Sequence, residues 1–224
     1  MSARFLSADE AVRLIPTGAT LVIGGTGAVL EPDLVLSALE RRFLETGEPR
    51  DLINVNPMLP SDRPGEGGLN VLAHEGMLRR IIGGSYTAKR HPRLIRMILE
   101  NRVEAYNLPM GTLVQWLTAV GAGKPGVLTQ VGLHTFVDPR VEGGRLNDRT
   151  TENLAEVMTI RGREYLFYPT FPVDVAIVRG TTADQDGNIS MEEEPNTLAM
   201  ADIAMAARNS GGKVIAQVKR VAKR

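Results

Sequence analysis

Short apolar runs alternate with longer stretches of helical period along the whole chain. The apolar runs predict strands over residues 21–23, 52–55, 103–107, 127–131, 173–178 and 213–218. The periodic stretches predict helices over residues 8–15, 32–46, 92–100, 111–122 and 195–209. Ser7 and Glu10 are spaced as a capping box, and Gly47 is placed to end the second helix. The helix over 92–100 is expected to turn four apolar residues inward: Leu94, Ile95, Ile98 and Leu99.

One pair of strands departs from this alternation. Residues 157–160 and 164–168 flank Arg161 and Gly162, which is typical of an antiparallel hairpin. Elsewhere strand and helix alternate, which predicts an α/β fold with a three-layer, doubly wound, mostly parallel sheet and a small inserted hairpin. We expect residues 1–224 to form one domain, because no linker or repeat interrupts them. Ligands of such folds bind at the carboxyl ends of the strands.

Two polar segments rich in Pro and Gly, residues 57–69 and 137–147, have no periodicity. Both are predicted to be loops. A loop as long as the first usually lines a site or an interface when it lies in a compact domain.

Charge and composition narrow the class of protein. Lys plus Arg and Asp plus Glu both number 26 among 224 residues, so no net field favours nucleic acid or a membrane as partner. The absence of cysteine excludes disulfides and thiol chemistry. Without an apolar run of roughly 20 residues or a signal-peptide core, a cytoplasmic protein is expected. The basic residues Lys219, Arg220, Lys223 and Arg224 are interpreted as a solvated tail.

The segment from Thr20 to Asp33 combines a buried strand, a glycine-rich turn and a helix start. Gly24, Gly25 and Gly27 permit a tight turn with bare amides, and Pro32 suits the first helical position. Helix N-termini of this kind attract phosphates and carboxylates. A dinucleotide fingerprint would need a small residue at position 30 and an acidic residue at the end of the next strand. Leu30 and Asn56 stand there, which disfavours NAD binding.

Several polar groups admit both a functional and a structural interpretation. His134, near the end of a predicted strand, is either an acid–base group or a hydrogen-bonded structural histidine. Glu192, Glu193 and Glu194 are either candidate nucleophiles or the first turn of a helix, with Ser190 and Glu193 as its capping box.

Three further motifs favour a structural explanation. Residues 184–188 resemble a calcium loop but lack its spacing, so a turn is predicted. Residues 210–213 lack the phosphate-loop residues and fit a helix C-cap, and Ser85 has no nucleophile-elbow glycine after it. His74, His91 and His134 are too far apart along the chain for a ligand motif, so no metal site is predicted.

Five motifs in order resemble the family I coenzyme A transferases, specifically the N-terminal or α half of the acetate and 3-ketoacid type. The resemblance extends over essentially the whole chain. The motifs are the glycine-loop signature, represented by Thr17, Gly18, Leu21 to Ile23, Gly24, Gly25 and Pro32, and then AYNLPMGTL (105–113), GVLTQVGLHTFVDPR (126–140), FPVDVAIVRGTTADQDGNIS (171–190) and ARNSGGKVIAQVK (207–219).

This resemblance implies an enzyme that exchanges CoA between an acyl thioester and a free carboxylate by a ping-pong route. In the family the nucleophilic glutamate lies in the β half, which this chain does not contain, so no catalytic residue is assigned here. CoA is then a substrate rather than a bound cofactor. A β subunit or C-terminal half, within an oligomer, is the expected partner.

The motifs also imply substrate-binding positions, some of which differ from the family pattern. Thr26 replaces the usual Phe, and Leu30 replaces a signature Gly. Met110 stands where a Gln amide is thought to polarise the acyl carbonyl, and a thioether donates no hydrogen bond. His134 replaces a common Gly. The residues assigned to substrate binding are Gly24, Gly25, Thr26, Gly27, Asn107, Met110, Gly111 and His134.

The alternative function is a non-catalytic ligand-binding or regulatory module. The same three-layer fold also serves sugar-phosphate isomerases and ligand-sensing regulators. A β half carrying the glutamate, encoded beside or beyond this chain, would favour the transferase.

Overall fold

The computed structural model describes residues 3–61 and 66–222, arranged as strands and helices that largely alternate. The helices are α1 (Ala8–Val12), α2 (Asp33–Thr46), α3 (Pro92–Leu99), α4 (Met110–Gly121) and α5 (Met200–Asn209). The strands are β1 (Thr20–Ile23), β2 (Leu52–Asn56), β3 (Leu78–Gly83), β4 (Glu104–Asn107), β5 (Gly126–Thr129), β6 (Glu156–Ile160), β7 (Arg163–Pro169), β8 (Val175–Ala183), β9 (Ile189–Ser190) and β10 (Lys213–Val221). Among the described helices, none is long and apolar enough to cross a membrane.

The main sheet has the order β10-β8-β1-β2-β3-β4, and all of these strands are parallel. Only β9 runs antiparallel, as a short hairpin partner of β8. Leu21 and Ile23 point to one core and Val22 to the other, as the period of a strand requires. The apolar groups of α1, α2 and α3 cover the first face, whereas α4 and α5 cover the second. The predicted fold class is therefore confirmed.

A second, antiparallel sheet has the order β5-β7-β6. It contains the predicted hairpin, in which Arg161 and Gly162 both have positive φ, 49° and 75°, as in a tight type I′ turn. The strand predicted over 127–131 also lies here. The alternation of elements placed it in the parallel sheet, which is wrong, because β5 pairs antiparallel with β7 along its whole length.

Strand β3 was not predicted from the sequence. Arg79 and Arg80 interrupt its apolar pattern, and Arg80 is accommodated by ion pairs with Glu104 at 2.5 Å and Glu152 at 2.7 Å. The buried part of the strand is the short stretch Ile81, Ile82 and Gly83. A similar motif stands at the ends of two strands. Ile-Gly-Gly-Thr (23–26) begins at the last residue of β1, and Ile-Gly-Gly-Ser (82–85) spans the end of β3.

Helix boundaries follow the sequence signals where backbone capping is local. The Ser7–Glu10 capping box forms, and Gly47 ends α2 with a left-handed φ of 72°. The predicted start of the last helix at residue 195 is wrong. Leu198 and Ala199 have φ values of 38° and 57°, which a right-handed helix does not tolerate, so α5 begins at Met200.

Two smaller expectations about helix faces and ends are also corrected. Leu99 is 76 % exposed at the end of α3, and Met97 takes a buried position instead. Pro32 precedes α2 as its N-cap and is not its first helical residue.

Strands β1 and β2 separate at their carboxyl ends, where side chains replace backbone pairing. Backbone partners end at Leu21 and Asn54. Beyond them the fully buried Asn56 accepts a hydrogen bond from the Ile23 amide at 3.2 Å and from Asn54 Nδ2 at 2.8 Å. Its own Nδ2 donates to the carbonyls of Ile23 and Met58. At the predicted strand end, the Asn56 side chain therefore holds the ends of β1 and β2 together.

Loop 130–147 lies against the end of β4 and is held by one carboxylate. Asp138 is fully buried and accepts hydrogen bonds from the backbone amides of His134 and Arg140 and from the Arg140 guanidinium. These bonds, above all those from Arg140, keep the pKa of Asp138 well below its ordinary value. Gly144 joins the loop to β4 by accepting a bond from the Asn107 amide at 2.8 Å.

Replacing Asn56 by Leu should destabilise the protein, because the Ile23 amide and carbonyl lose their side-chain partner in a dry core. Each buried group left unpaired costs roughly 1–3 kcal/mol. Chemical denaturation measures the loss. The control Asn153→Leu removes one exposed hydrogen bond and should change stability far less. Equal stabilities for the two variants would contradict the role of Asn56.

Replacing Asp138 by Asn should cost about 1–3 kcal/mol at neutral pH, because a buried acceptor of several hydrogen bonds is lost. The folded-state pKa is lowered, so the carboxylate contributes above the ordinary value of 3.8 and this contribution fades as pH falls below it. Denaturation from pH 7 to pH 3 should therefore show the difference in stability between the two proteins narrowing below about pH 4. A constant difference would contradict this account.

Candidate functional site

The glycine loop after β1 folds back on itself before α2. Thr26 and Val29 exchange backbone hydrogen bonds of 3.0 and 2.9 Å. Gly25 and Gly27 have φ values of 110° and 51°, as expected for positions where the backbone needs glycine. A Cβ at Gly24 would lie 2.4 Å from Met200 Sδ, so the absence of a side chain at Gly24 leaves room for Met200 of α5. The loop therefore has a fixed, compact shape.

Leu30 shows how this loop departs from the family signature. It is 2 % exposed and has a φ of 59°, a left-handed conformation that glycine adopts at little cost. The backbone therefore keeps the form that the family Gly suits, although the residue is now Leu. Burial of the Leu30 side chain offsets the strain.

Two backbone amides at the start of α2 already have a side-chain partner and are not free to bind a ligand. The backbone N–H groups of Leu34 and Val35 donate to Gln217 Oε1 of β10, at 3.0 and 3.2 Å. For these two amides, the expectation of an anion site at the helix N-terminus is therefore wrong. Any ligand in this region must use other parts of the glycine loop.

A segment after β2, residues 57–61, connects the glycine loop to the loop after β3. The Gly27 amide donates to the Leu59 carbonyl at 3.4 Å, and the Ser61 amide donates to the Gly27 carbonyl at 3.0 Å. On its other side, the Leu59 side chain lies 3.0 Å from the position of a Cβ at Gly83.

Met110 lies where the loops after β2, β3 and β4 converge. A Cβ added at Gly84 would lie 2.4 Å from both Met110 Cγ and the Pro57 carbonyl oxygen. Only glycine allows this approach. Met110 is nevertheless 46 % exposed, so its outer end faces open space at the carboxyl edge of the sheet. We call Pro57, Gly84 and Met110 the Met110 cluster.

A cleft of ≈ 650 Å³ opens beside the glycine loop. We call it the basic cleft, and its lining residues are Thr26, Gly27, Ala28, Val29, Ser61, Lys89 and Arg90. Arg90 lies directly on the loop, because a Cβ at Gly27 would be 2.5 Å from its Nη1. Lys89 and Arg90 were missed from the sequence. They follow β3, and without that strand their position at the carboxyl edge could not be inferred.

The other three predicted site residues occupy different surroundings. Asn107 is half-buried and its amide is bonded to Gly144. Gly111 is exposed in the first turn of α4, with open space around its Cβ position. His134 is exposed with a φ of 61°, and its amide donates to Asp138. Within the described residues, no hydrogen bond joins His134 to the Met110 cluster or the glycine loop.

The three adjacent glutamates are ion-paired and lie outside any helix. Hydrogen bonds from Ser190 and Thr182 lower the pKa of the Glu192 carboxyl to about 2. Glu193 pairs with Arg220 and Lys219, and the buried carboxylate of Glu194 lies 3.3 Å from Arg179. The predicted Ser190–Glu193 capping box is wrong, since α5 starts only at Met200.

The remaining motifs are structural, as predicted. Asp184 accepts hydrogen bonds from Asp186 and Asn188 in the β8–β9 turn. Ser210 caps the C-terminus of α5, and Gly211 follows with a φ of 77°. Among the described residues, no three acidic or histidine side chains form a group that could hold a metal ion. Lys223 and Arg224 of the basic tail lie outside the described residues, whereas Lys219 and Arg220 belong to β10.

Comparison with known proteins identifies the family. Residues 5–223 match the family model described as coenzyme A transferase. The acetate CoA-transferase YdiF of Escherichia coli O157:H7 is 38% identical over 220 residues, which are 98% of this chain and 41% of YdiF. Its apoenzyme crystal structure, at 37% identity, superposes with a TM-score of 0.95 over 100% of this chain and 43% of that one.

Two further relatives have different names and lengths. The caffeate CoA-transferase of Acetobacterium woodii is 40% identical over 221 residues, covering 97% of this chain and 41% of that protein. A probable succinyl-CoA:3-ketoacid coenzyme A transferase subunit of Bacillus subtilis is 30% identical over 183 residues, 82% of this chain and 67% of the relative. The chain thus spans about two fifths of the longer relatives and aligns with a separate subunit in another. It belongs to the family I coenzyme A transferases.

Proposed function

We propose that this chain is the N-terminal or α half of an enzyme that moves CoA between an acyl-CoA and a free carboxylic acid. The glutamate of the ping-pong reaction would be supplied by a β half, in the same or a separate chain. The proposal is supported by the family match over residues 5–223 and by the shorter relatives that are separate subunits. The acyl donor and the acceptor acid belong to the same proposal and are addressed by the kinetics below.

The observation that carries the proposal is the convergence of loops at the carboxyl edge of the sheet. Parallel α/β sheets bind ligands there, because helix starts and loop backbones face the ligand without intervening side chains. Here Gly27 and Gly84 let neighbouring loops approach closely at this edge, and Met110 adds an exposed apolar group beside Gly84. Such a surface suits a thioester, which combines a polar carbonyl with an apolar acyl chain.

The glutamates of this chain are unsuited to the nucleophilic role. A nucleophilic carboxylate must be free to approach the thioester carbonyl and to become covalently bound. Glu192 and Glu193 are committed to hydrogen bonds and ion pairs at the β8–β10 end, and Glu194 is buried against Arg179. Lowered pKa values also make Glu192 and Glu193 weaker nucleophiles. The proposal therefore assigns the nucleophile to the partner half.

The isolated 224-residue chain should not transfer CoA from acetyl-CoA to a short carboxylate, because it lacks that nucleophile. Adding the β half should restore turnover, and borohydride should then trap a glutamyl-CoA adduct on the β half. Mass spectrometry locates the adduct. Robust turnover by the pure chain, with the adduct on one of its own glutamates, would overturn the assignment.

Replacing Met110 by Gln in the reconstituted enzyme should raise KM for hexanoyl-CoA and leave kcat for acetyl-CoA unchanged. Met110 offers an apolar surface to the acyl tail, and each CH₂ that is no longer desolvated costs about 0.8 kcal/mol, roughly fourfold in KM. The matched control is Met205→Gln on α5, which is also 46 % exposed.

Other kinetic outcomes place Met110 differently. A rise in kcat for acetyl-CoA would mean that the new amide donates to the thioester oxygen, so Met110 lies at the carbonyl and not at the tail. Unchanged kcat and KM for both substrates would place Met110 outside the site.

A further inference from the structure

We propose that the basic cleft binds a phosphate group of the nucleotide end of CoA. This inference rests on the proposed function for the identity of the ligand. The binding chemistry itself, an oxyanion held by Lys89 and Arg90, is argued from the geometry of the cleft alone.

Among the residues that the structure describes, the cleft is lined by two adjacent cations and by no acidic side chain. Among the described residues, seven arginines form ion pairs with carboxylates: Arg41, Arg80, Arg93, Arg102, Arg140, Arg179 and Arg220. Within residues 3–61 and 66–222, no ion pair involves Lys89 or Arg90. In a chain with equal numbers of positive and negative side chains, this local excess of positive charge favours an anion.

Arg90 is held in place by buried polar groups. Its carbonyl accepts hydrogen bonds from Ser61 Oγ and Asn70 Nδ2, each at 2.9 Å. Ser61 and Asn70 are 2 % and 0 % exposed, so two buried side chains are committed to this one carbonyl. The Ser61 amide is bonded to Gly27, which fixes Arg90 relative to the glycine loop. The backbone at Arg90 is therefore already ordered, which lowers the entropy lost on binding.

The guanidinium of Arg90 lies beside the backbone of Gly27. Its Nη1 occupies the space where a Cβ of Gly27 would stand. The planar guanidinium can bind two oxygens of one phosphate, and the Lys89 ammonium adds a second charge. The Thr26 side chain also lines the cleft and carries a hydroxyl. These groups match a tetrahedral dianion.

A phosphate fits this place better than the reacting carboxylate does. Lys89 and Arg90 are exposed in a wide cleft, whereas acyl transfer requires the carboxylate in a dry centre beside the thioester. CoA carries its phosphates at the end remote from the sulfur. The basic cleft and the Met110 cluster are separate regions of the same sheet edge, linked by residues 57–61. The two ends of CoA would meet different loops.

Calorimetric titration of the 224-residue chain tests the proposal without any catalysis. Adenosine 3′,5′-bisphosphate should bind the wild type, and the double variant Lys89→Met/Arg90→Met should weaken binding by at least about tenfold, since hydrogen bonds between charged groups are lost. The control Lys124→Met/Arg208→Met removes the same two charges from exposed positions at the opposite edge and should bind normally. Raising the salt concentration should weaken wild-type binding.

Parallel titrations with pantetheine and acetate separate phosphate from the other chemical groups of the substrates. Neither should depend on Lys89 or Arg90. No binding of the bisphosphate to the wild type, or equal loss in the control variant, would overturn the proposal. Acetate binding that requires the two cations would also overturn it, by making the cleft a carboxylate site. If the double variant fails to fold, the single variant Lys89→Met is titrated and should still bind more weakly than wild type.

The outcome is independent of the proposed function. Bisphosphate binding that depends on the two cations can occur in a chain that has no transferase activity with any β half. Conversely, a reconstituted transferase whose KM for acetyl-CoA is unchanged by the double variant would keep the proposed function and refute the cleft.

Discussion

The buried amide of Asn56 is the constraint on which the candidate site depends. It replaces the backbone pairing between β1 and β2 at the point where a continuing ladder would have kept the two strands together. Because two of its four hydrogen bonds satisfy the amide and the carbonyl of Ile23, the chain after each strand is free to turn outward. One side chain thus joins the carboxyl ends of β1 and β2.

The loops at the carboxyl edge of the sheet are held together by short-range contacts between neighbours. Residues 57–61 pair with Gly27 on one side and pack against Gly83 and Gly84 on the other. Through Ser61 the same segment also holds Arg90. A disturbance at Asn56, which directly precedes Pro57 of the Met110 cluster, would therefore reach both the basic cleft and that cluster.

Sequence patterns predicted the fold class, the glycine loop and most elements, because burial and capping in those segments are local properties. They failed where the determining partner is remote. β3 was missed because Arg80 is tolerated only through Glu104 and Glu152, which no local window contains. Because β3 was missed, the glycine turn that follows it and the basic cleft were missed as well. Nor does any local pattern predict that Gln217, 182 residues from Val35, accepts a hydrogen bond from the Val35 amide.

The distribution of charge explains why this chain suits a binding role more than a nucleophilic one. At the β8–β10 end, Glu192 and Glu193 are held by Arg220 and by hydroxyl donors, which stabilises their charged forms and lowers their reactivity toward a thioester. At the glycine loop the balance is reversed, since Lys89 and Arg90 face no carboxylate among the described residues that line the cleft. A ligand oxyanion can supply the missing charge there, whereas a nucleophilic glutamate placed beside them would be stabilised and weakened. This agrees with the proposed function, in which the reactive carboxylate comes from another polypeptide segment, at the Met110 cluster and away from these cations.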